Sequence, residues 1–306
     1  MKRNIKDYTI LTLKGMGMGA ADVVPGVSGG TIAFIVGIYE ELINSIKNID
    51  LRTLKLLFTF KLKSFWIIGP SGCGKSTLLS IISGILISVF SLAKLITFLL
   101  NDYPVLVWAF FFGLVIASTY FVSKRVQVWN WKRWFSFIIG AGIAYYITIA
   151  TPSQTPENLS FIFLCGAIAI CAMILPGISG SFILLLLGKY EFIMNAVKSL
   201  DITIIIVFAC GAAIGLVLFS NVLSYLLRKF HDITIATLTG FMLGSLNKVW
   251  PWKKTLETFV DSHGAIKPLV EQNILPNVYV WQAIILMIAG FLLVYIIERM
   301  SGSTNS

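Results

Sequence analysis

Apolar runs separated by short polar segments dominate the chain. A transmembrane helix needs about 20 mostly apolar residues, and several runs reach or approach that length. They lie at about 80–100, 105–122, 134–150, 203–226, 232–247 and 279–297. This pattern predicts a helical protein that crosses a membrane several times.

Two further apolar regions, 15–46 and 161–198, are interrupted near the middle by Pro-Gly-x-Ser-Gly. A proline among small residues would leave backbone N–H and C=O groups unpaired in lipid. Such a break is therefore tolerated only where it is buried in protein or lines a cavity. We expect both regions to form re-entrant helical hairpins whose tips lie near the middle of the membrane.

The chain also contains an internal repeat. Residues 25–30 match residues 176–181 at an offset of 151, and the same offset carries Glu40 onto Glu191. Beyond the hairpins the offset becomes 127, which carries Gly84 onto Gly211 and Gly113 onto Gly240. The repeat therefore covers the spans as well as the hairpins.

Each half, 1–150 and 151–306, is expected to hold one hairpin followed by three spans. Because three is odd, the second half should be inverted relative to the first. The predicted fold is thus an all-α polytopic membrane protein built as an inverted repeat. Broken helices at matching positions of inverted repeats are typical of secondary transporters, whose substrates bind near the membrane midplane. The alternative is a duplication that serves folding alone.

Composition excludes a water-soluble fold. Hydrophobic residues make up 57% of the chain and charged residues 12%, whereas soluble domains have about 25% charged residues. The net charge of +10 is explained by basic loops that set membrane orientation, so no nucleic-acid partner is expected. With the N-terminus inside, most Lys and Arg residues fall on the cytoplasmic side. We expect a multi-pass protein of the cytoplasmic (inner) cell membrane with both termini in the cytoplasm.

The hairpin tips suit an anion. Each tip leads into a helix N-terminus, which offers free backbone N–H groups and the positive end of a helix dipole. Ser28 and Ser179 add hydroxyl donors, although helix capping is an alternative role for both. The candidate phosphate ligands are Gly26, Ser28, Gly29, Gly30, Gly177, Ser179, Gly180 and Ser181.

Several charged residues near the hairpins are candidate coupling groups or charge partners. The acids are Asp22, Glu40, Glu41 and Glu191. Glu40 and Glu191 occupy equivalent positions, which suits either proton coupling or a structural ion pair. Lys94 lies inside its span, where it could pair with an anionic substrate or a hairpin acid, or extend toward the headgroups. The cysteines and histidines show no metal-binding spacing, so no metal site is expected.

Residues 69–77, Gly-Pro-Ser-Gly-Cys-Gly-Lys-Ser-Thr, match the nucleotide-binding pattern G-x-x-x-x-G-K-[ST]. In that pattern Gly74, Lys75 and Ser76 would hold phosphates. The mechanism also needs a parallel sheet and an acid at the end of another strand. Neither is evident, and the string directly precedes a predicted span. We therefore expect no ATPase activity, and the sequence offers no reason for this string.

With two such tips between apolar spans, the chain resembles the bacterial and archaeal polyprenyl-phosphate transporter family, formerly a membrane family of unknown function. The resemblance is carried by residues 17–31 (Gly-Met-Gly-Ala-Ala-Asp-Val-Val-Pro-Gly-Val-Ser-Gly-Gly-Thr), 37–40 (Gly-Ile-Tyr-Glu) and 175–180 (Leu-Pro-Gly-Ile-Ser-Gly). It extends over nearly the whole chain except about 66–80. It implies a flippase that returns undecaprenyl phosphate to the cytoplasmic leaflet for recycling of the envelope lipid carrier.

The expected function is therefore transport of a polyprenyl phosphate by alternating access, without covalent chemistry. The expected partners are the lipid and the membrane. No cofactor is expected apart from a coupling proton or sodium ion. The alternatives are a secondary transporter of another anion, a membrane lipid-phosphate hydrolase and an ATP-driven pump. Chain-length preference and homo-oligomer formation are left open by the sequence.

Overall fold

The computed structural model describes residues 4–24, 27–47, 75–152, 155–260 and 266–302. Helices of the first half are α1 (Ile5–Asp22), α2 (Gly29–Ile35), α3 (Tyr39–Lys47), α4 (Lys75–Asp102), α5 (Pro104–Ser123) and α6 (Trp131–Ile149). Those of the second half are α7 (Leu159–Ile174), α8 (Gly180–Leu186), α9 (Tyr190–Lys198), α10 (Ile202–Lys229), α11 (His231–Ser245) and α12 (Val280–Gly302). Strands β1 (Lys253–Val260) and β2 (Ile266–Asn273) lie between α11 and α12.

Three of the described helices are long and apolar enough to cross a membrane: α5, α10 and the Val280–Arg299 part of α12. The number rises to five if α4, bent by 52°, and the α8–α9 pair, bent by 109°, each count as one span. The predicted spans at 134–150 and 232–247 form the helices α6 and α11, which do not meet the same requirement of length and apolarity. The prediction of a mostly helical membrane protein is confirmed.

Each predicted hairpin returns through a 7-residue helix and a 9-residue helix. The break between them lies at Gly37 (φ 72°) in the first hairpin and at Gly188 (φ 61°) in the second. Only glycine adopts this left-handed conformation without steric cost. The glycine shared by the two repeats is therefore required by the turn between the short helices.

Small residues allow close helix packing within each half. α4 packs against α1, and α10 packs in the same way against α7. A Cβ atom at Gly84 would collide with the Thr12 carbonyl oxygen, and one at Gly211 would collide with that of Phe163. Helix pairs in lipid depend on such close approach, because lipid tails are as apolar as the side chains they compete with.

The two halves also exchange helices. α6 packs against α11, and α12 packs against α5, so each half contributes its last helix to the other. A Cβ at Gly113 would collide with the Met287 carbonyl oxygen, and one at Gly240 would collide with that of Phe137. The glycines matched by the sequence repeat thus lie at points of close helix contact.

The β-hairpin corrects the all-α prediction. β1 pairs antiparallel with β2, from Lys253 opposite Asn273 to Val260 opposite Ile266. Trp250 and Trp252 fix its base, since their indole N–H groups donate to the carbonyls of Ile274 and Val278, both at 2.9 Å. Outside this hairpin, the described secondary structure is helical.

Substitution of Gly113 by Ala should destabilise the protein by about 1–3 kcal/mol, because the added methyl forces α5 and α12 apart. The matched control is Gly142→Ala, since a Cβ at exposed Gly142 meets nothing within 4 Å. Thermal unfolding in detergent should show a lower midpoint for Gly113→Ala alone. Equal midpoints for the two variants would contradict the packing described here.

Candidate functional site

The first hairpin tip is bonded to the second half of the chain. Ser28 is 1% exposed. Its hydroxyl lies 3.1 Å from the Met173 carbonyl oxygen and 3.0 Å from that of Leu175, so it can donate to either. The Ser28 hydroxyl oxygen also accepts the Gly30 N–H at 3.1 Å. Ser28 therefore caps α2, as the alternative interpretation held, and also satisfies carbonyls left open at the end of α7.

Asp22 occupies the anion position at the start of α2. Its carboxylate accepts the Gly29 N–H at 2.7 Å. A Cβ at Gly29 would lie 2.6 Å from the other carboxylate oxygen, so only glycine admits this approach. In the structure, the N–H group predicted to hold phosphate is thus bonded to a carboxylate of the same chain.

Two residues that the site prediction omitted join the hairpins. The Gly177 N–H donates to the Thr31 hydroxyl at 3.0 Å. The Tyr39 hydroxyl donates to the Ile174 carbonyl at 3.3 Å. Tyr39 matches Tyr190 in the repeat, which was the available signal for it. These bonds place the two tips in direct contact.

The second tip is more open than the first. Ser179 does not cap α8, and its hydroxyl lies 2.7 Å from that of Ser181. Ser181 is exposed, whereas Gly30, its equivalent in the first half, is buried. The position equivalent to Asp22 is Met173, so this tip carries no matching carboxylate. The two tips are therefore related in sequence but differ in accessibility.

Basic side chains secure the far end of the first tip helix. Lys14 donates to the Val36 carbonyl at 2.7 Å. Arg125 donates to the Phe34 carbonyl at 3.3 Å and lies 3.5 Å from the Glu298 carboxylate. Cations at a helix C-terminus are favourable because the last carbonyls are unpaired and the dipole is negative there. Apart from the positive charges, the sequence contains no signal for these contacts.

The candidate coupling residues lie apart from the tips. The Glu40 carboxylate is 3.3 Å from His231 Nε2, and the Thr77 hydroxyl donates to Glu41 at 3.0 Å. Glu191 and Lys94 are exposed. Of the five, Asp22 contacts a tip helix through a hydrogen bond to the Gly29 N–H.

Of the nucleotide-binding string, the structure describes only the end. Gly74 lies outside the described residues, as does Gly26 of the first tip. Lys75 is the first residue of α4, and its side chain is not described. The Ser76 carbonyl accepts the Ser80 hydroxyl at 2.9 Å within that helix. The described residues also contain no cluster of three metal-ligating side chains.

Two broken-helix hairpins that meet at their tips, flanked by apolar helices, define a polytopic membrane protein with a shared polar centre. The family described as undecaprenyl phosphate translocase-like (VCA0040-like) matches residues 18–267. The chain belongs to this family.

Two curated relatives bear the name polyprenyl-phosphate transporter. The one from Vibrio cholerae is 43% identical over 306 aligned residues, covering 96% of this chain and 97% of the relative. The one from Staphylococcus aureus is 31% identical over 260 residues, covering 78% of this chain and 85% of the relative. No solved structure shows significant similarity.

Ser28→Ala should lower stability more than Ser179→Ala. The first change removes a helix cap, which contributes about 0.5–2 kcal/mol, together with the bonds to α7. The second removes only the contact with Ser181. Thermal unfolding of both variants measures the difference, and a larger loss for Ser179→Ala would show that the first tip is not the structural joint.

Proposed function

We propose that the chain transports undecaprenyl phosphate or a related polyprenyl phosphate across the cytoplasmic membrane, without covalent chemistry. The observation that carries the proposal is the contact between two broken-helix tips inside a membrane fold of this family. Backbone breaks at this depth are costly unless protein or a cavity satisfies them. The names of the two curated relatives supply the substrate class. The long prenyl tail would stay in lipid while the phosphate moves through the polar centre.

We also infer that the two halves, 1–150 and 151–306, form an inverted repeat. The bounds of α2 and α3 recur as α8 and α9 at the offset of 151, and those of α4 recur as α10 at 127. The helix pairs α1–α4 and α5–α12 have counterparts in α7–α10 and α11–α6. These correspondences support alternating access, in which equivalent elements exchange roles on opposite faces.

An ion pair supports the inversion, and the distribution of basic residues supports the orientation. Arg133 at the start of α6 lies 3.0 Å from Asp232 at the start of α11. α5 ends on the face where α6 begins, so α5 and its equivalent α11 run in opposite directions. Basic residues collect on this face, which we assign to the cytoplasm together with both termini.

The second tip is the better phosphate site in this conformation. In the described structure the hydroxyls of Ser179 and Ser181 bond to each other, and Gly180 lies beside them. The first tip could bind phosphate only after Asp22 leaves the Gly29 N–H. Protonation of Asp22 would weaken that bond, because a charged acceptor binds an N–H more strongly than a neutral one. We propose that Asp22 couples phosphate binding at the first tip to proton uptake, and phosphate release to proton loss.

The nucleotide-binding string contributes to helix packing under this proposal. Lys75 begins a helix of 28 residues, and Thr77 is buried against Glu41 of the first hairpin. We propose transport without ATP hydrolysis, with the end of this string serving the contact between α4 and the first hairpin.

The double variant Ser179→Ala/Ser181→Ala should lower leaflet exchange of labelled undecaprenyl phosphate in proteoliposomes by at least about tenfold, since it removes hydrogen bonds to a charged group. Wild-type protein should exchange the lipid without nucleotide. The matched control is Ser136→Ala, a half-buried serine bonded to its own helix. Full activity of the double variant would contradict the assigned site.

Asp22→Asn keeps an acceptor for Gly29 but removes the proton-binding group. Exchange by this variant should lose the response to an imposed proton gradient that the wild type shows. Glu191→Gln, a change at an exposed acid, should retain the response. Coupling through Asp22 would be overturned if only Glu191→Gln lost the response to the gradient, or if wild-type exchange did not respond to it.

A further inference from the structure

A cavity of about 310 Å³ lies at the outer end of the second hairpin. Its walls come from the end of α6, from α8, from the segment after α11 and from β2. On the assigned orientation, it faces the leaflet opposite the cytoplasm. It is separate from the hydroxyl groups of the tips, which do not line it.

One wall of the cavity carries an unbalanced charge cluster. Glu271 Oε2 accepts a hydrogen bond from Lys248 Nζ at 3.1 Å and from Lys253 Nζ at 3.3 Å. The Lys253 side chain is only 7% exposed. Because two ammonium groups share one carboxylate, the cluster keeps one net positive charge. A poorly hydrated charge of this kind is stabilised by a further anion.

The charge states of the cluster reflect this imbalance. The pKa of Lys253 is lowered to about 8, chiefly by burial and in part by the neighbouring Lys248, against the raising effect of Glu271. Burial would raise the pKa of Glu271, but the ammonium groups of Lys253 and Lys248 hold it below its usual range. An added anion would oppose the effect of burial on Lys253 and favour its charged form.

Aromatic rings hold both ammonium groups in place. Lys248 Nζ lies 4.6 Å from the centre of the Phe182 ring on α8. Lys253 Nζ lies 4.1 Å from the centre of the Trp108 ring on α5. Cation–π contacts at these distances are attractive and orient the side chain. The cluster therefore links the second tip helix to the β-hairpin.

The remaining walls combine polar and apolar surface. Asn247 donates to the Thr148 hydroxyl at 2.9 Å and lies among the lining residues. Leu185 and Leu186 of α8 form an apolar side. A ligand with an anionic head and a hydrocarbon chain matches this division.

The first half differs at the equivalent place in the described structure. Leu185 corresponds to Phe34 by the offset of 151, and the Phe34 carbonyl is bonded by Arg125, which pairs with Glu298. At the first hairpin, then, the basic residue is used to close the helix end. At the second hairpin, the basic residues face open volume.

We propose that this cavity binds a phosphate monoester, with Lys248 and Lys253 as its ligands, and admits the lipid substrate to the second hairpin from the outer leaflet. Glu271 neutralises part of the cluster when the cavity is empty. The inference rests on the proposed function for the identity of the lipid, but the anion site stands on the geometry alone.

The test measures binding of farnesyl phosphate to the purified full-length protein in detergent by calorimetry, with inorganic phosphate and farnesol as separate probes. Lys248→Met and Lys253→Met should each weaken binding of farnesyl phosphate by about tenfold or more, as expected for loss of a charged hydrogen bond. Glu271→Gln should tighten it, because a competing carboxylate is removed. Lys254→Met, at the exposed neighbouring position of β1, should change nothing.

Opposite effects of the lysine and glutamate changes separate a binding site from a structural ion cluster. If the cluster only stabilises the fold, all three changes lower the unfolding midpoint and none changes affinity, which would overturn the proposal. Equal affinity for inorganic and farnesyl phosphate would overturn the assignment to a lipid head group. Binding of farnesol as tight as that of farnesyl phosphate would exclude phosphate recognition.

Wild-type leaflet exchange, measured in parallel, distinguishes this inference from the proposed function. If the wild type exchanges the lipid and the lysine variants bind farnesyl phosphate normally, the cavity is not the binding site, whereas the transport proposal stands. Loss of binding in those variants with no wild-type exchange would refute transport and leave the anion site.

Discussion

The fold depends on satisfying backbone polar groups where two helices break inside an apolar structure. Each hairpin supplies hydrogen-bond partners for backbone groups of the other. Thr31 accepts the Gly177 N–H, and Ser28 reaches the carbonyls at the end of α7. Because neither hairpin could leave these groups unpaired in lipid, the two halves are joined at their most polar point. The exchanged helices α6 and α12 join the halves further, since α6 packs against α11 and α12 packs against α5.

The joint is not symmetric, and the asymmetry has a chemical cause. The first tip is buried, capped by Ser28 and bonded to Asp22. At the second tip Met173 replaces the carboxylate, and Ser181 is exposed. One tip thus resembles a closed site that an internal anion fills, while the other remains accessible. Under the proposed alternating access, this conformation is one of two states of the transporter.

Sequence patterns predicted what depends on local chemistry. Prolines and glycines within apolar regions predicted where the helices break. The repeat also singled out Gly84 and Gly113, which lie at helix contacts. The pattern could not show that Asp22 would fill the first tip, because that depends on how α1 and α2 pack. The cluster around Glu271 was missed for the same reason, since residues 248, 253 and 271 converge only through the β-hairpin. Lys94 shows the converse, because its position within an apolar run did not reveal that it is exposed.

The most direct test of this account is the accessibility of position 181 from each side of the membrane. A Ser181→Cys variant, made in a chain whose four native cysteines are replaced, would be labelled in oriented vesicles with a membrane-impermeant thiol reagent. The account predicts labelling from the β-hairpin side without substrate, and protection when undecaprenyl phosphate is added. Labelling that is equal from both sides, or unaffected by the lipid, would contradict a phosphate site that alternates between the two faces.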